Sequence, residues 1–111
     1  NKMDGVTALS GSGPAYVFLF IEAMQQAAAE LGFTPEQGRQ LAIETVQGAA
    51  ALAAQSSDPA SVLRERVTSK GGTTEAALNK MAEMGVKAGI IAGVKAAEAR
   101  GQELGKLLGA A

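Results

Sequence analysis

The sequence predicts an all-α domain of five helices, on three observations. Apolar residues recur at the 3.6-residue period of a helix face, no segment alternates with period two, and Pro and Gly stand where helices begin and end. With 111 residues, 37 of them Ala or Gly and few of them β-branched, the chain has the length of one domain with a single core.

Gly13-Pro14 opens the first helix, expected from Pro14 to about Leu31, because Pro lacks only an N–H that would be unpaired in the first turn anyway. Gly32 ends it by taking a left-handed conformation. Val17, Phe20, Met24, Ala27, Ala28 and Leu31 form its stripe, while Phe18, Leu19 and Ile21 make the first two turns apolar all round, a surface that needs cover on every side. Thr34-Pro35-Glu36-Gln37 is a complete helix start, with Thr34 as N-cap and Gln37 closing a capping box. The second helix runs from Pro35 to about Gln55 and is expected to bury Leu41, Thr45, Val46, Ala49, Leu52 and Ala53. Asp58-Pro59 repeats the punctuation, with Asp58 as cap of a short helix from Pro59 to about Val67, anchored by Leu63 and Val67. A fourth helix starts near Thr73 or Thr74, buries Ala77, Leu78 and Met81 and ends at Met84 before Gly85. The last runs from Val86 to about Leu107 with Val86, Ile90, Gly93, Val94 and Ala97 on one stripe.

Gly85, Gly89 and Gly93 stand at i, i+4 and i+8, each costing up to about 1 kcal/mol of helix propensity relative to Ala. Either a second backbone packs on this face at close range, or Gly85 is only a helix break and the other two are neutral. Burying both the all-round apolar first helix and this Gly/Ala face within five helices of one chain is difficult, so homo-oligomerisation through helix faces is the physical expectation.

Composition excludes much chemistry. Without Cys or His there is no disulfide framework, no Cys or His metal site and no Ser-His or Cys-His relay. Ten Lys/Arg against eleven Asp/Glu, scattered along the chain, give no stripe that tracks phosphates, so nucleic acid is not expected as a partner. The longest wholly apolar run, Ala15 to Ile21, is far short of the roughly 20 residues that span a bilayer, and no membrane is expected. The chain starts at Asn1 without a Met, and Asn1-Lys2-Met3-Asp4 lacks the pattern of a signal peptide, so it reads as a piece of a longer protein, expected in the cytoplasm.

Chemistry concentrates in Val67-Thr68-Ser69-Lys70-Gly71-Gly72-Thr73-Thr74, where two glycines flanked by hydroxyls lead into a helix. Glycines permit close approach of a ligand to the backbone. The first helical turn offers unpaired N–H groups and the positive end of the dipole, which suit a carboxylate. The bland alternative is a Gly turn with Thr73 or Thr74 as N-cap. Ser10-Gly11-Ser12-Gly13-Pro14 is a second small-residue segment, but it lacks the Gly-x-Gly-x-x-Gly spacing after a strand and reads as a tight turn.

Val6-Thr7-Ala8-Leu9-Ser10-Gly11-Ser12-Gly13-Pro14-Ala15-Tyr16, followed about fifty residues later by Val67 to Thr74 and Ala77-Leu78, resembles the C-terminal domain of the pyrroline-5-carboxylate reductase family over nearly the whole chain. The resemblance implies an intertwined homodimer that in some members assembles further. It also implies an N-terminal Rossmann domain, outside these 111 residues, that binds NADPH or NADH. It places Ser69, Gly71, Gly72, Thr73 and Thr74 in the loop that receives 1-pyrroline-5-carboxylate, with Thr74 as the catalytic hydroxyl that hydrogen-bonds the ring nitrogen while the protonated imine accepts hydride at the adjacent carbon. Many relatives have Pro in place of Lys70 and Asn in place of Arg66, and the latter puts a cofactor contact in doubt. Two other readings stand beside this one: a purely structural dimerisation module, and the helical domain of another NAD(P)-dependent imine or hydroxyacid dehydrogenase, which usually carries a catalytic Lys or acid that does not stand out here.

Overall fold

The structure, a computed structural model, describes residues 2–109. All five expected helices are present and no strand occurs among the described residues: α2 (Gly13–Glu30), α3 (Pro35–Gln55), α4 (Ala60–Arg66), α5 (Thr73–Glu83) and α6 (Val86–Gly109). They follow an element that sequence reasoning missed, α1 (Met3–Val6), which continues into a π-turn over Thr7–Gly11. The Ser10–Pro14 segment is therefore part of a helical run rather than a tight turn.

The chain forms two compact units, Val17–Glu75 and a second made of the residues up to Tyr16 with those from Ala76 onward. In Val17–Glu75, the start of α3 is the expected capping box: Thr34 Oγ1 accepts from Gln37 N at 3.2 Å and Gln37 Oε1 accepts from Thr34 N at 3.0 Å. Gly32, with φ of 97°, closes α2. The buried residues of α3 are Gly38 and Ala42, one turn apart, and not the expected stripe, since Leu41 and Leu52 are 48% and 63% exposed. The reason is backbone proximity: a Cβ on Gly38 would lie 3.0 Å from the Ala28 Cβ, so α2 crosses α3 where side chains are smallest. The Asp58 cap is also corrected. Pro59 precedes α4, the Asp58 N–H donates to Ser56 Oγ at 3.0 Å, and the Asp58 carboxylate pairs with Arg66 at 2.7 Å.

In the other unit, α1 lies against α6 through glycines. A Cβ on Gly101 would come within 3.2 Å of Asp4 Oδ1, and one on Gly5 within 3.6 Å of Glu98 Oε2. Ala8 in the π-turn is buried, and Val94 and Ala97 of α6 are half-buried, but Val86 and Ile90 remain exposed. On α5 only Leu78 of the three expected core residues is half-buried. Gly85, with φ of 71°, is a helix break as one reading had it, whereas a Cβ at Gly89 or Gly93 would meet nothing of this chain within 4 Å.

The missing burial is systematic. The chain exposes 8753 Å², whereas a monomeric protein of its 11.2 kDa exposes about 5,700 Å². Ala8 and Ala42 are its only buried hydrophobic residues among those described, and Phe18 and Leu19 are 63% and 66% exposed. The expected stripes are real as patterns but face outward in the single chain. The helical run Met3–Glu30, 28 residues that include an 18-residue stretch of mean hydropathy 1.2, is also long and apolar enough by length and composition to cross a membrane. The seven-residue apolar run does not reveal this, because the 18-residue stretch also takes in small and polar residues around that run.

Candidate functional site

The loop Ser69–Thr74 joins α4 to α5. Its upstream side is tied to the end of α4: Thr68 Oγ1 donates to Arg64 O at 2.6 Å and the Thr68 N–H to Glu65 O at 3.0 Å. The turn itself needs glycine at two positions for different reasons. Gly71 has φ of 76°, which a Cβ disfavours. At Gly72 a Cβ would press on Ser69 O at 3.2 Å.

Both glycine N–H groups are spent inside the turn. Gly72 N donates to Ser69 O at 3.0 Å, and Gly71 N donates to Glu75 Oε1, also at 3.0 Å. The glycines therefore shape the loop and permit close approach, while the donors left for a ligand are those at the head of α5. Thr73 is the first residue of that helix, and its N–H and that of Thr74 have no acceptor among the described residues. Neither Thr hydroxyl caps a backbone N–H, which removes the reading of either as an N-cap. Thr73 and Ser69 are exposed and Thr74 is half-buried.

The structure thus brings together Ser69, Gly71, Gly72, Thr73 and Thr74 in one turn. Two amides and two hydroxyls at a helix N-terminus can bind a carboxylate by charge-assisted hydrogen bonds. Lys70 stands exposed in the same turn, whereas Arg66 at the end of α4 is paired with Asp58, which precedes that helix. No cluster of acidic, His or Cys side chains able to hold a metal occurs among the described residues. Sequence reasoning missed Glu75, although the Gly72-Thr73-Thr74-Glu75 spacing of a capping box without a capping side chain was the available signal.

A separate cleft of 830 Å³ lies between the end of α3 and α4, lined by Leu52, Ala53, Leu63, Arg66 and Val67 among others. None of the five loop residues lines it. Its walls are mostly apolar, and it belongs with the exposed helix faces described above.

Comparison with known proteins identifies the family of the chain. Residues 1–104 match the family model described as pyrroline-5-carboxylate reductase dimerisation. Pyrroline-5-carboxylate reductases of Synechocystis and Pseudomonas aeruginosa are 43% and 44% identical, over 96% and 97% of this chain and 40% of each relative. Among solved structures, Plasmodium falciparum pyrroline carboxylate reductase with NADP bound superposes with a TM-score of 0.91 at 33% identity, covering 94% of this chain and 40% of that one. The Coxiella burnetii pyrroline-5-carboxylate reductase gives 0.89 at 43% identity, covering 93% and 38%. The chain spans about 40% of the length of the curated relatives it matches. With the family model, the sequence identity and the fold in agreement along nearly its whole length, the chain belongs to the pyrroline-5-carboxylate reductase dimerisation family.

Proposed function

We propose that this domain dimerises and binds substrate in a reductase that converts 1-pyrroline-5-carboxylate to L-proline with NADPH or NADH, in the cytoplasm and without nucleic acid or membrane as partner. The observation that carries the reading is the head of α5. Two helix amides and the two Thr hydroxyls have no partner among the described residues, in a turn whose glycines admit close approach, in a chain of this family.

In this reading the substrate carboxylate sits at the Thr73 and Thr74 amides, with the Ser69 and Thr73 hydroxyls beside it. Thr74 Oγ1 accepts the N–H of the protonated imine, which fixes the ring and stabilises the charge that makes the adjacent carbon electrophilic. No strand–turn–helix cradle for a dinucleotide occurs among the described residues, so the nicotinamide cofactor is assigned to a Rossmann domain outside this chain. Bound there, it supplies hydride. The contribution of this chain is orientation and electrostatics.

The dimer follows from surface. An excess exposure of about 3,000 Å² per chain, about 6,000 Å² for a pair, reaches the upper range of what obligate dimers bury. The α2 circumference, the α3–α4 cleft and the open Gly89/Gly93 face are the surfaces a second copy covers, which also makes protein rather than lipid the partner of Met3–Glu30.

The test is turnover. The full-length protein carrying this domain is expected to oxidise reduced nicotinamide cofactor in the presence of the pyrroline, and the isolated 111-residue chain to do neither this nor bind the cofactor tightly. Absence of turnover by the full-length dimer, or turnover by the isolated chain, refutes the division of labour.

A further inference from the structure

We propose that Glu75 is a positioning residue of the substrate loop: by accepting the Gly71 N–H, its side chain fixes the turn that presents the Thr73 and Thr74 donors. The proposal rests on the reading of Ser69–Thr74 as the site for the pyrroline carboxylate.

The turn is held at few points. Upstream, the Thr68 bonds fasten it to α4. Downstream, the left-handed Gly71 is the residue with most conformational freedom, and its N–H has no backbone acceptor. The one bond that ties Gly71 to α5 is the 3.0 Å contact with Glu75 Oε1, made by a half-buried side chain from the third residue of the helix. A carboxylate there also opposes an incoming anion, since it partly neutralises the helix dipole that attracts one. A residue that weakens the field for the ligand while organising the loop has a signature that charge alone does not produce.

Three variants of the full-length protein separate the effects. Glu75→Gln keeps the acceptor oxygen and removes the charge. Glu75→Asp keeps the charge and is one methylene too short to reach Gly71. Glu75→Ala removes both. Steady-state kinetics are expected to show the KM for the pyrroline raised about fivefold to twentyfold in the Ala and Asp variants, the effect of ordering a released loop on binding. Their kcat stays within about twofold and their cofactor KM is unchanged, because the loop's bound geometry is the same once substrate has ordered it. Glu75→Gln restores a KM at or below that of the parent. If Ala and Gln instead lower KM together, Glu75 acts through its charge and the proposal is overturned. Unchanged KM in both Ala and Asp overturns it as well. Thr74→Ala in the same series distinguishes the underlying reading: impairment there with no effect at Glu75 removes only the positioning role, whereas full activity in Thr74→Ala removes the loop as substrate site.

Discussion

The Tyr16 hydroxyl donates a 2.7 Å hydrogen bond to the carbonyl oxygen of Ala8, the second residue of the π-turn. In that turn the Ser12 N–H reaches back to Thr7 O at 2.8 Å instead of to Ala8 O, five residues back rather than four. The phenol supplies a donor to the carbonyl thus released. A side chain on α2 and a backbone irregularity eight residues earlier therefore form one unit.

Tyr16→Phe is expected to leave a buried carbonyl without this donor and to destabilise the protein by about 1–2 kcal/mol. For a domain of this size that lowers Tm by roughly 4–8 °C per kcal/mol. Thermal unfolding of the full protein checks it, and an unchanged Tm means that the π-turn stands without the phenol.

Local signals were legible in the sequence where their partners lie within a few residues. The Thr34–Gln37 capping box, the left-handed Gly32 and the helix stop before Gly85 are of this kind. Asp58 was misread because two neighbours compete for it: Ser56 takes its N–H and Arg66 takes its carboxylate. The run from Met3 to Gly11 was missed because Gly, Ser and Thr argue against a helix locally, and the contacts that sustain it, Tyr16 on Ala8 and Asp4 beside Gly101, are distant in sequence. The buried stripes failed for another reason. Periodicity marks which face is apolar, but what covers that face need not belong to the same chain.

In the site, the glycine pair and the Thr residues were readable from composition and helix position, but the use of the glycine amides was not. Their donors look available to a ligand in sequence, and only the reach of Glu75 and the closure onto Ser69 O show them occupied. Gly71→Ala then strains the left-handed position by about 1–2 kcal/mol. Gly72→Val forces a branched side chain against Ser69 and, if the loop takes the substrate, into its path. Catalytic efficiency is expected to fall more for Gly72→Val than for Gly71→Ala, with cofactor affinity preserved in both, and kinetics in the reverse order contradict the geometry.

Assembly has a similarly specific test. A side chain at Gly89 or Gly93 meets nothing of its own chain within 4 Å, and replacing Gly within a helix raises helix propensity by up to about 1 kcal/mol. A self-contained monomer therefore tolerates Gly89→Leu or Gly93→Leu. If a second copy packs there, overpacking costs of order 1–3 kcal/mol and weakens the dimer. Sedimentation of both variants beside Gly48→Leu, another helical glycine with open space around it, is expected to show dissociation or misfolding at positions 89 and 93 only. A folded parent that sediments as a monomer at micromolar concentration refutes the interface outright.

The most direct test of the site concerns Thr74. Its hydroxyl caps nothing among the described residues, so removing it has no local structural cost to confuse the result. If Thr74 Oγ1 accepts the iminium N–H, Thr74→Ala removes one hydrogen bond to a charged group, worth about 1.5–3 kcal/mol, and lowers kcat/KM for the pyrroline roughly tenfold to a hundredfold. Thr74→Ser keeps the hydroxyl and most of the activity. The N–H of residue 74 survives both changes, so the carboxylate contact persists and the loss in Thr74→Ala falls mainly on kcat, in contrast to the KM effect expected of Glu75. Dimerisation and cofactor affinity remain at parental values. A Thr74→Ala variant with normal kcat/KM, or one inactive only because the dimer has dissociated, makes Ser69–Thr74 a structural turn and moves the substrate elsewhere.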